Sequence, residues 1–216
     1  MSEFVNSLLR LRDAINNDIE IATEADTVLI YDRPIGPEGL QWRQLQDWWA
    51  EREGGIPQEE AKKTLYNRLQ SCLPLSSPPQ RFLFSAFHKA FGKSIPTLPA
   101  LLPEVWLHWD PKTIAQRGSN ALPRFRMDFL MLLPFGVRIV VEVDGKHHYA
   151  DESGAASPKE YAKMVAADRD LRLARYEVFR FGAAELDGGD DGRSAVREFF
   201  ELLFKRYGVS YALGSK

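Results

Sequence analysis

The sequence predicts an α/β fold in which a mixed sheet flanked by helices follows a mainly helical N-terminal module. From residue 80 onward, the periodicities of apolar residues indicate helix, strand, strand, strand, helix, strand and helix, in that order. Before residue 75 the periodicity is mainly helical, and a stretch rich in proline and serine at 73–79 interrupts it. We therefore predict two domains, residues 1–75 and residues 76–216.

Two groups of apolar residues indicate helices in the N-terminal module. At helical spacing we find Phe4, Leu8, Leu11 and Ile15, and then Trp42, Leu45, Trp48 and Trp49. A further helix is predicted from Gln58 to Leu73, with two glutamates in its first turn. The tryptophans could form a partner-binding patch, but at this spacing they are more typical of a hydrophobic core.

The C-terminal domain begins with a helix predicted from Gln80 to Phe91 and a strand from Val105 to Trp109. Two apolar runs on either side of Pro134-Phe135-Gly136 predict a β-hairpin. A helix follows from Pro158, with Ser157 as its predicted N-cap. The last two elements are a strand over 177–181 and an amphipathic helix over 194–207.

Acidic residues interrupt the two apolar runs of the predicted hairpin. Asp128 lies within the first run, and Glu142 and Asp144 end the second. Ionised carboxylates in such surroundings are costly unless they are paired or bind a metal. Since strand side chains alternate in direction, Lys146 joins Glu142 and Asp144 on one side if the strand extends that far. This pattern predicts a metal site for phosphodiester chemistry; the alternative is a structural ion-pair network with Arg124 and Arg126.

Charge is distributed unevenly along the chain. Residues 1–75 contain 8 basic and 13 acidic residues, whereas residues 76–216 contain 20 and 17. Clustered basic residues beside the hairpin are typical of phosphate contacts, although a solvated mixed-charge surface is an equal alternative. The residues that we predict to contact nucleic acid are Arg124, Arg126, Lys163, Arg169 and Arg172.

The sequence also predicts a cytoplasmic protein with no membrane partner. No apolar run approaches the ~18 residues that a transmembrane helix needs. The first residues lack the pattern of a signal peptide, and the single cysteine, Cys72, excludes an internal disulfide. The four histidines and one cysteine show no spacing typical of a zinc site.

Four short motifs occur in order between about residues 80 and 185. They are Asp128-Phe129, Glu142-Val143-Asp144-Gly145 with His148, Asp168-Arg169 or Arg169-Asp170, and Arg180-Phe181. Together with the order of elements, these motifs resemble the PD-(D/E)xK nuclease superfamily, and most closely its branch related to very-short-patch-repair endonucleases. The resemblance implies a restriction-endonuclease-like core made of a helix, a three-stranded antiparallel meander, a helix and a further strand.

The resemblance implies an endonuclease that hydrolyses DNA with Mg²⁺, for which Mn²⁺ can substitute, in prokaryotic antiviral defence or DNA repair. Asp128, Glu142 and Asp144 are then the metal-binding acids, and the Val143 carbonyl is a further ligand. Asp144 occupies the position of the family's lysine, so Lys146 or Lys163 would supply the positive charge, and we favour Lys146. The catalytic set becomes Asp128, Glu142, Asp144, Lys146 and His148.

Other functions remain open at this point. A catalytically silent relative would bind nucleic acid or a protein, and an RNase would use the same strand motif. The N-terminal module is available to bind a partner protein, and a homodimer is compatible with the sequence. Cleavage of DNA is the function that we carry forward because all three acids of the hairpin are present.

Overall fold

The computed structural model of the protein describes residues 9–11, 29, 31–107, 125–145 and 156–211. In these ranges the strands are β1 (Leu9–Leu11), β2 (Leu102–Leu107), β3 (Phe125–Leu132), β4 (Arg138–Asp144) and β5 (Glu177–Gly182). The α-helices are α1 (Trp42–Arg52), α2 (Gln58–Cys72), α3 (Pro78–Phe91), α4 (Pro158–Leu173) and α5 (Asp190–Arg206). A 3₁₀ helix, Gly92–Thr97, directly follows α3.

The described strands form one mixed sheet in the order β1-β2-β3-β4-β5. Neighbours β2, β3 and β4 are antiparallel, whereas β1 pairs with β2 and β4 pairs with β5 in parallel. The parallel pair β4 and β5 requires a crossover, which contains α4. The predicted α/β class and the predicted order of elements after residue 80 are therefore confirmed.

The helix predicted from apolar spacing between Phe4 and Ile15 is wrong over Leu9–Leu11. These three residues form β1, which pairs with Val105–Leu107 of β2. A short apolar run fits helical and strand periods equally well, and here the free edge of β2 supplies its backbone hydrogen-bond partners. The other residues of that predicted helix lie outside the described ranges.

Local sequence signals account for the ends of the main helices. The Ser157 side chain accepts a hydrogen bond from the Glu160 amide at the start of α4, as the sequence predicts. Helix α5 begins with Asp190 and Asp191, and Lys205 and Arg206 lie in its last turn. These charges interact favourably with the helix dipole.

Within the described ranges, no helix combines the length and apolar character needed to cross a membrane.

Helices α3 and α5 cover one face of the sheet with an aromatic core. The rings of Phe84 and Phe129 stack at 6.4 Å between centroids, and Phe181 contacts Phe199 at 5.0 Å. Helix α4 lies on the other face, where Asp168 contacts Arg180 of β5. Because strand side chains alternate, Phe129 faces the aromatic core and Asp128 faces the side of α4.

The N-terminal helices pack against α3 and the end of β3. Trp42 lies 4.7 Å from the His88 ring, and Trp42, Trp48 and Trp49 are buried, which confirms their prediction as core residues. A Cβ at Gly39 would lie 2.2 Å from the Leu132 carbonyl oxygen, so only glycine permits this approach. Buried residues on both sides of 73–79 belong to one core. The division at residue 75 stays a prediction.

Candidate functional site

Four charged residues lie side by side across β2, β3, β4 and β5. Pro103 pairs with Phe129 and Val105 with Met127, so Glu104 lies opposite Asp128. Between β3 and β4, Phe129 lies opposite Val141, so the next position places Asp128 opposite Glu142. Between β4 and β5, Glu142 lies opposite Arg180. Residues opposite one another in a sheet project to the same face. We call Glu104, Asp128, Glu142 and Arg180 the charged row.

The two central carboxylates are buried and joined through the backbone. Asp128 and Glu142 are 5% and 7% exposed, and the Val143 amide donates to Asp128 Oδ2 at 2.8 Å. The Asp128 amide donates in turn to the Glu142 carboxylate. Among the described residues, Glu142 Oε1 has no hydrogen-bond partner. Burial, and then the negative charge of Asp128, raise the pKa of Glu142 well above its usual range.

Glu104 is a site residue that sequence reasoning missed. Its side chain is buried, its φ is 54°, and its carboxylate contacts Arg126 at 3.0 Å. A left-handed conformation costs a residue with a Cβ about 1–2 kcal/mol and is often found at functional sites. Burial raises the pKa of Glu104 to about 7, with Arg126 opposing the shift and Asp128 adding to it.

A sequence signal for Glu104 does exist. It interrupts the apolar run Leu101–Leu107 in the same way as Asp128 interrupts its own run. We predicted that the strand begins at Val105, whereas β2 begins at Leu102 and contains the glutamate. A search for acids within apolar runs identifies Glu104 when it covers all of Leu101–Leu107.

Arg180 connects the charged row to Asp144 and to α4. Its guanidinium lies 2.7 Å from Asp144 Oδ1 and 3.3 Å from Asp168 Oδ1. Asp168 also pairs with Arg172 at 2.8 Å, one turn along α4. Asp144 is therefore held by an arginine from β5, and this arginine supplies positive charge beside Glu142.

The other predicted residues have different positions. Arg126 contacts Glu104, as described above. Lys163 is exposed on α4 and pairs with Glu160 at 2.7 Å, and Arg169 is exposed on the same helix. The pairing of Arg172 with Asp168 is the helix-surface pair expected at this spacing. The predicted residues Arg124, Lys146 and His148 lie outside the described residues.

The charged row meets the chemical demands of a hard divalent cation. Mg²⁺ prefers oxygen ligands and is commonly held by one or two carboxylates, and Asp128 and Glu142 are adjacent acids with the Val143 backbone beside them. The unpartnered Oε1 of Glu142 is a further free acceptor among the described residues. In the same part of the chain, no group of three or more His, Cys, Asp and Glu side chains is already arranged around a metal position.

Replacing Glu104 with glutamine should change how stability depends on pH. The folded protein holds the Glu104 proton up to about pH 7, whereas the ordinary value is 4.5. Its protonation therefore favours the folded state fully below pH 4.5, and this contribution is lost as the pH rises through 7. We expect Glu104→Gln to be more stable than the wild type by roughly 2 kcal/mol at about pH 8, but not at about pH 4.5.

Urea unfolding at both pH values measures this difference. The exposed Glu53 supplies the control, because Glu53→Gln should leave the pH dependence unchanged. Equal stability of Glu104→Gln and the wild type at both pH values would contradict the described environment of Glu104.

The chain matches no family model, no curated protein and no solved structure. The chemistry open to the charged row therefore follows from its own residues. Adjacent buried carboxylates attract a cation, and the nearby arginine can attract an anionic group brought by that cation.

Proposed function

We propose that the protein is a metal-dependent nuclease that hydrolyses DNA phosphodiester bonds endonucleolytically. The observation that carries this proposal is the juxtaposition of Asp128 and Glu142, both buried and in register on adjacent strands. Burial, and then repulsion by Asp128, raises the pKa of Glu142, and this shift expresses the cost of placing the two carboxylates there. Because such a pair is costly to bury, its presence indicates a functional role for the negative charge, and binding a divalent cation is the simplest such role.

Asp128 and Glu142 would hold Mg²⁺, with the Val143 carbonyl as a further ligand. When bound, the ion would act as a Lewis acid and lower the pKa of its water. The amide of Val143 orients Asp128, and the amide of Asp128 orients Glu142. Arg180 holds Asp144 beside these two acids. Lys146 and His148 retain the catalytic roles that the family resemblance implies for them.

The order of elements supports a restriction-endonuclease-like core as the fold of this proposed nuclease. Helix α3, the antiparallel meander β2-β3-β4, the crossover helix α4 and the parallel strand β5 follow one another as that core requires. The acids of the resemblance lie on the two central strands of this arrangement. Neither Asp128 nor Glu142 belongs to the aromatic core on the opposite face.

A catalytically silent nucleic-acid-binding or protein-binding module is the second candidate. The contact between Arg180 and Asp144 favours it, because an acid already paired with an arginine is less available to a metal. Asp144 also occupies the position at which the resembled family has its lysine. This candidate predicts binding without cleavage.

Cleavage assays separate the two candidates and also test RNA as the substrate. Supercoiled plasmid, linear duplex, single-stranded DNA and RNA are each incubated with the protein and Mg²⁺, Mn²⁺ or EDTA. We expect metal-dependent nicking or linearisation of the plasmid, because an internal cut needs no free end. Cleavage of RNA alone would reassign the substrate, and failure to cut any of the four with either metal would reject the nuclease.

A further inference from the structure

A second site lies away from the charged row, between α1, α2 and the 3₁₀ helix that follows α3. It is an open cavity of about 600 Å³. This volume is within the range of pockets that bind small molecules. Three ring side chains line it, Trp42, Tyr66 and His88, and so do three lysines, Lys62, Lys63 and Lys93. We call it the lysine pocket.

Helix α2 presents a polar stripe to this pocket. Glu59, Lys62, Lys63 and Tyr66 are spaced by three, one and three residues, so they lie along one side of the helix. The neighbouring stripe is apolar and buried, and it consists of Ala61, Leu65, Leu69 and Cys72. The helix therefore packs into the core through its apolar stripe, and its polar stripe lines the pocket.

The rings of the pocket are held in place by one another. Trp42 and Tyr66 contact the His88 ring edge-on, at 4.7 Å and 5.0 Å between centroids. Trp42 Nε1 also donates to Gln46 at 3.0 Å. Burial, with a smaller effect of Lys62, lowers the pKa of His88 to about 3, so its ring is uncharged at neutral pH. Trp42 is only 1% exposed, so the half-buried rings of Tyr66 and His88 provide the accessible surface of this preorganised aromatic wall.

The lysines place an excess of positive charge at this wall. All three are exposed, and none of them forms a salt bridge with another residue of the described ranges. Glu59 is the one acid among the residues that line the pocket. Two of the lysines, Lys62 and Lys63, lie in a segment, residues 1–75, that has more acidic than basic residues. Clustered like charges without partners favour an anionic ligand.

We propose that the lysine pocket binds a nucleotide through its base and its phosphate. Planar bases pack favourably against aromatic side chains, and lysine ammonium groups bind phosphate as point charges. The same chemistry is offered by a free nucleotide and by the 5′-phosphorylated end of a strand. This site is independent of the proposed nuclease chemistry, since it contains no member of the charged row.

Calorimetry in EDTA tests the site without involving a metal at the charged row. Adenosine 5′-monophosphate is the probe, and adenosine and inorganic phosphate are its two halves. We expect the nucleotide to bind more tightly than either half. The double variant Lys62→Ala with Lys63→Ala should lose about tenfold or more in affinity, because two charge-assisted contacts disappear. Lys205→Ala, an exposed lysine on α5, is the matched control and should bind like the wild type.

Single-stranded oligonucleotides with a 5′-phosphate or a 5′-hydroxyl identify the source of the ligand. A preference for the phosphorylated strand that Lys62→Ala with Lys63→Ala removes points to strand ends, whereas binding of the mononucleotide alone points to a free nucleotide. The proposal is overturned if neither probe binds at about 1 mM. It is overturned equally if Lys205→Ala loses as much affinity as the double variant. Circular dichroism checks that each variant is folded.

Discussion

Glu142→Gln is expected to abolish metal-dependent DNA cleavage and at the same time to stabilise the metal-free protein. Glutamine keeps the shape of the side chain but removes the charge that would bind the cation, so the rate should fall by at least about 100-fold. The wild-type carboxyl is buried beside Asp128, and both burial and that charge disfavour its ionised form. Relief of this repulsion by about 1 kcal/mol would raise Tm by about 2–4 °C in EDTA.

Plasmid cleavage and thermal melting, each with Mg²⁺ and with EDTA, measure both parts of this prediction. The stabilisation by Mg²⁺ should shrink in the variant, because one of the two proposed acidic ligands is gone. Asp128→Asn should lose activity similarly while its side-chain oxygen still accepts from the Val143 amide. Glu53→Gln is the control and should match the wild type in both assays. Wild-type cleavage by Glu142→Gln would remove the basis of the proposed nuclease.

Arg180→Gln is expected to destabilise the protein more than any other single change to the charged row. The substitution removes the guanidinium that Asp144 and Asp168 share, and with it the positive charge beside Glu142. Removing one partner of a buried ion pair costs about 3–5 kcal/mol, and partial exposure of this network reduces that to about 2 kcal/mol. Tm should fall by about 4–8 °C in EDTA.

Mg²⁺ should restore more stability to Arg180→Gln than it adds to the wild type, since a cation can replace the lost positive charge. Adding Asp144→Asn should recover part of the loss, because it removes the charge of one of the two acids that contact this guanidinium. Arg193→Gln is the matched control: Arg193 pairs with the exposed Asp190 and donates to the Gly188 carbonyl, so the change should lower Tm much less than Arg180→Gln does. An equal fall in Tm for Arg180→Gln and Arg193→Gln would show that the contacts of Arg180 stabilise the protein no more than a surface pair does.

The sequence alone was sufficient for the order of elements from residue 80 and for two acids of the charged row. Apolar, β-rich runs on either side of Pro134-Phe135-Gly136 predict the hairpin, and β3 and β4 form it. Asp128 and Glu142 are recognisable because each is an acid in an apolar strand. Ser157 is recognisable as an N-cap because serine is preferred at that position and Pro158 suits the first position of the helix. All of these signals are local, since they depend on residues a few positions apart.

Contacts between distant segments were decided by the tertiary structure. Whether Leu9–Leu11 form helix or strand depended on the free edge of β2, which local periodicity does not describe. Glu104 joined the charged row through the β2–β3 register and a positive φ at a residue other than glycine. Arg180 met Asp144 across 36 positions of sequence, by way of a parallel crossover. Register and side-chain pairing across a sheet arise when the whole core packs, so no short stretch of sequence specifies them.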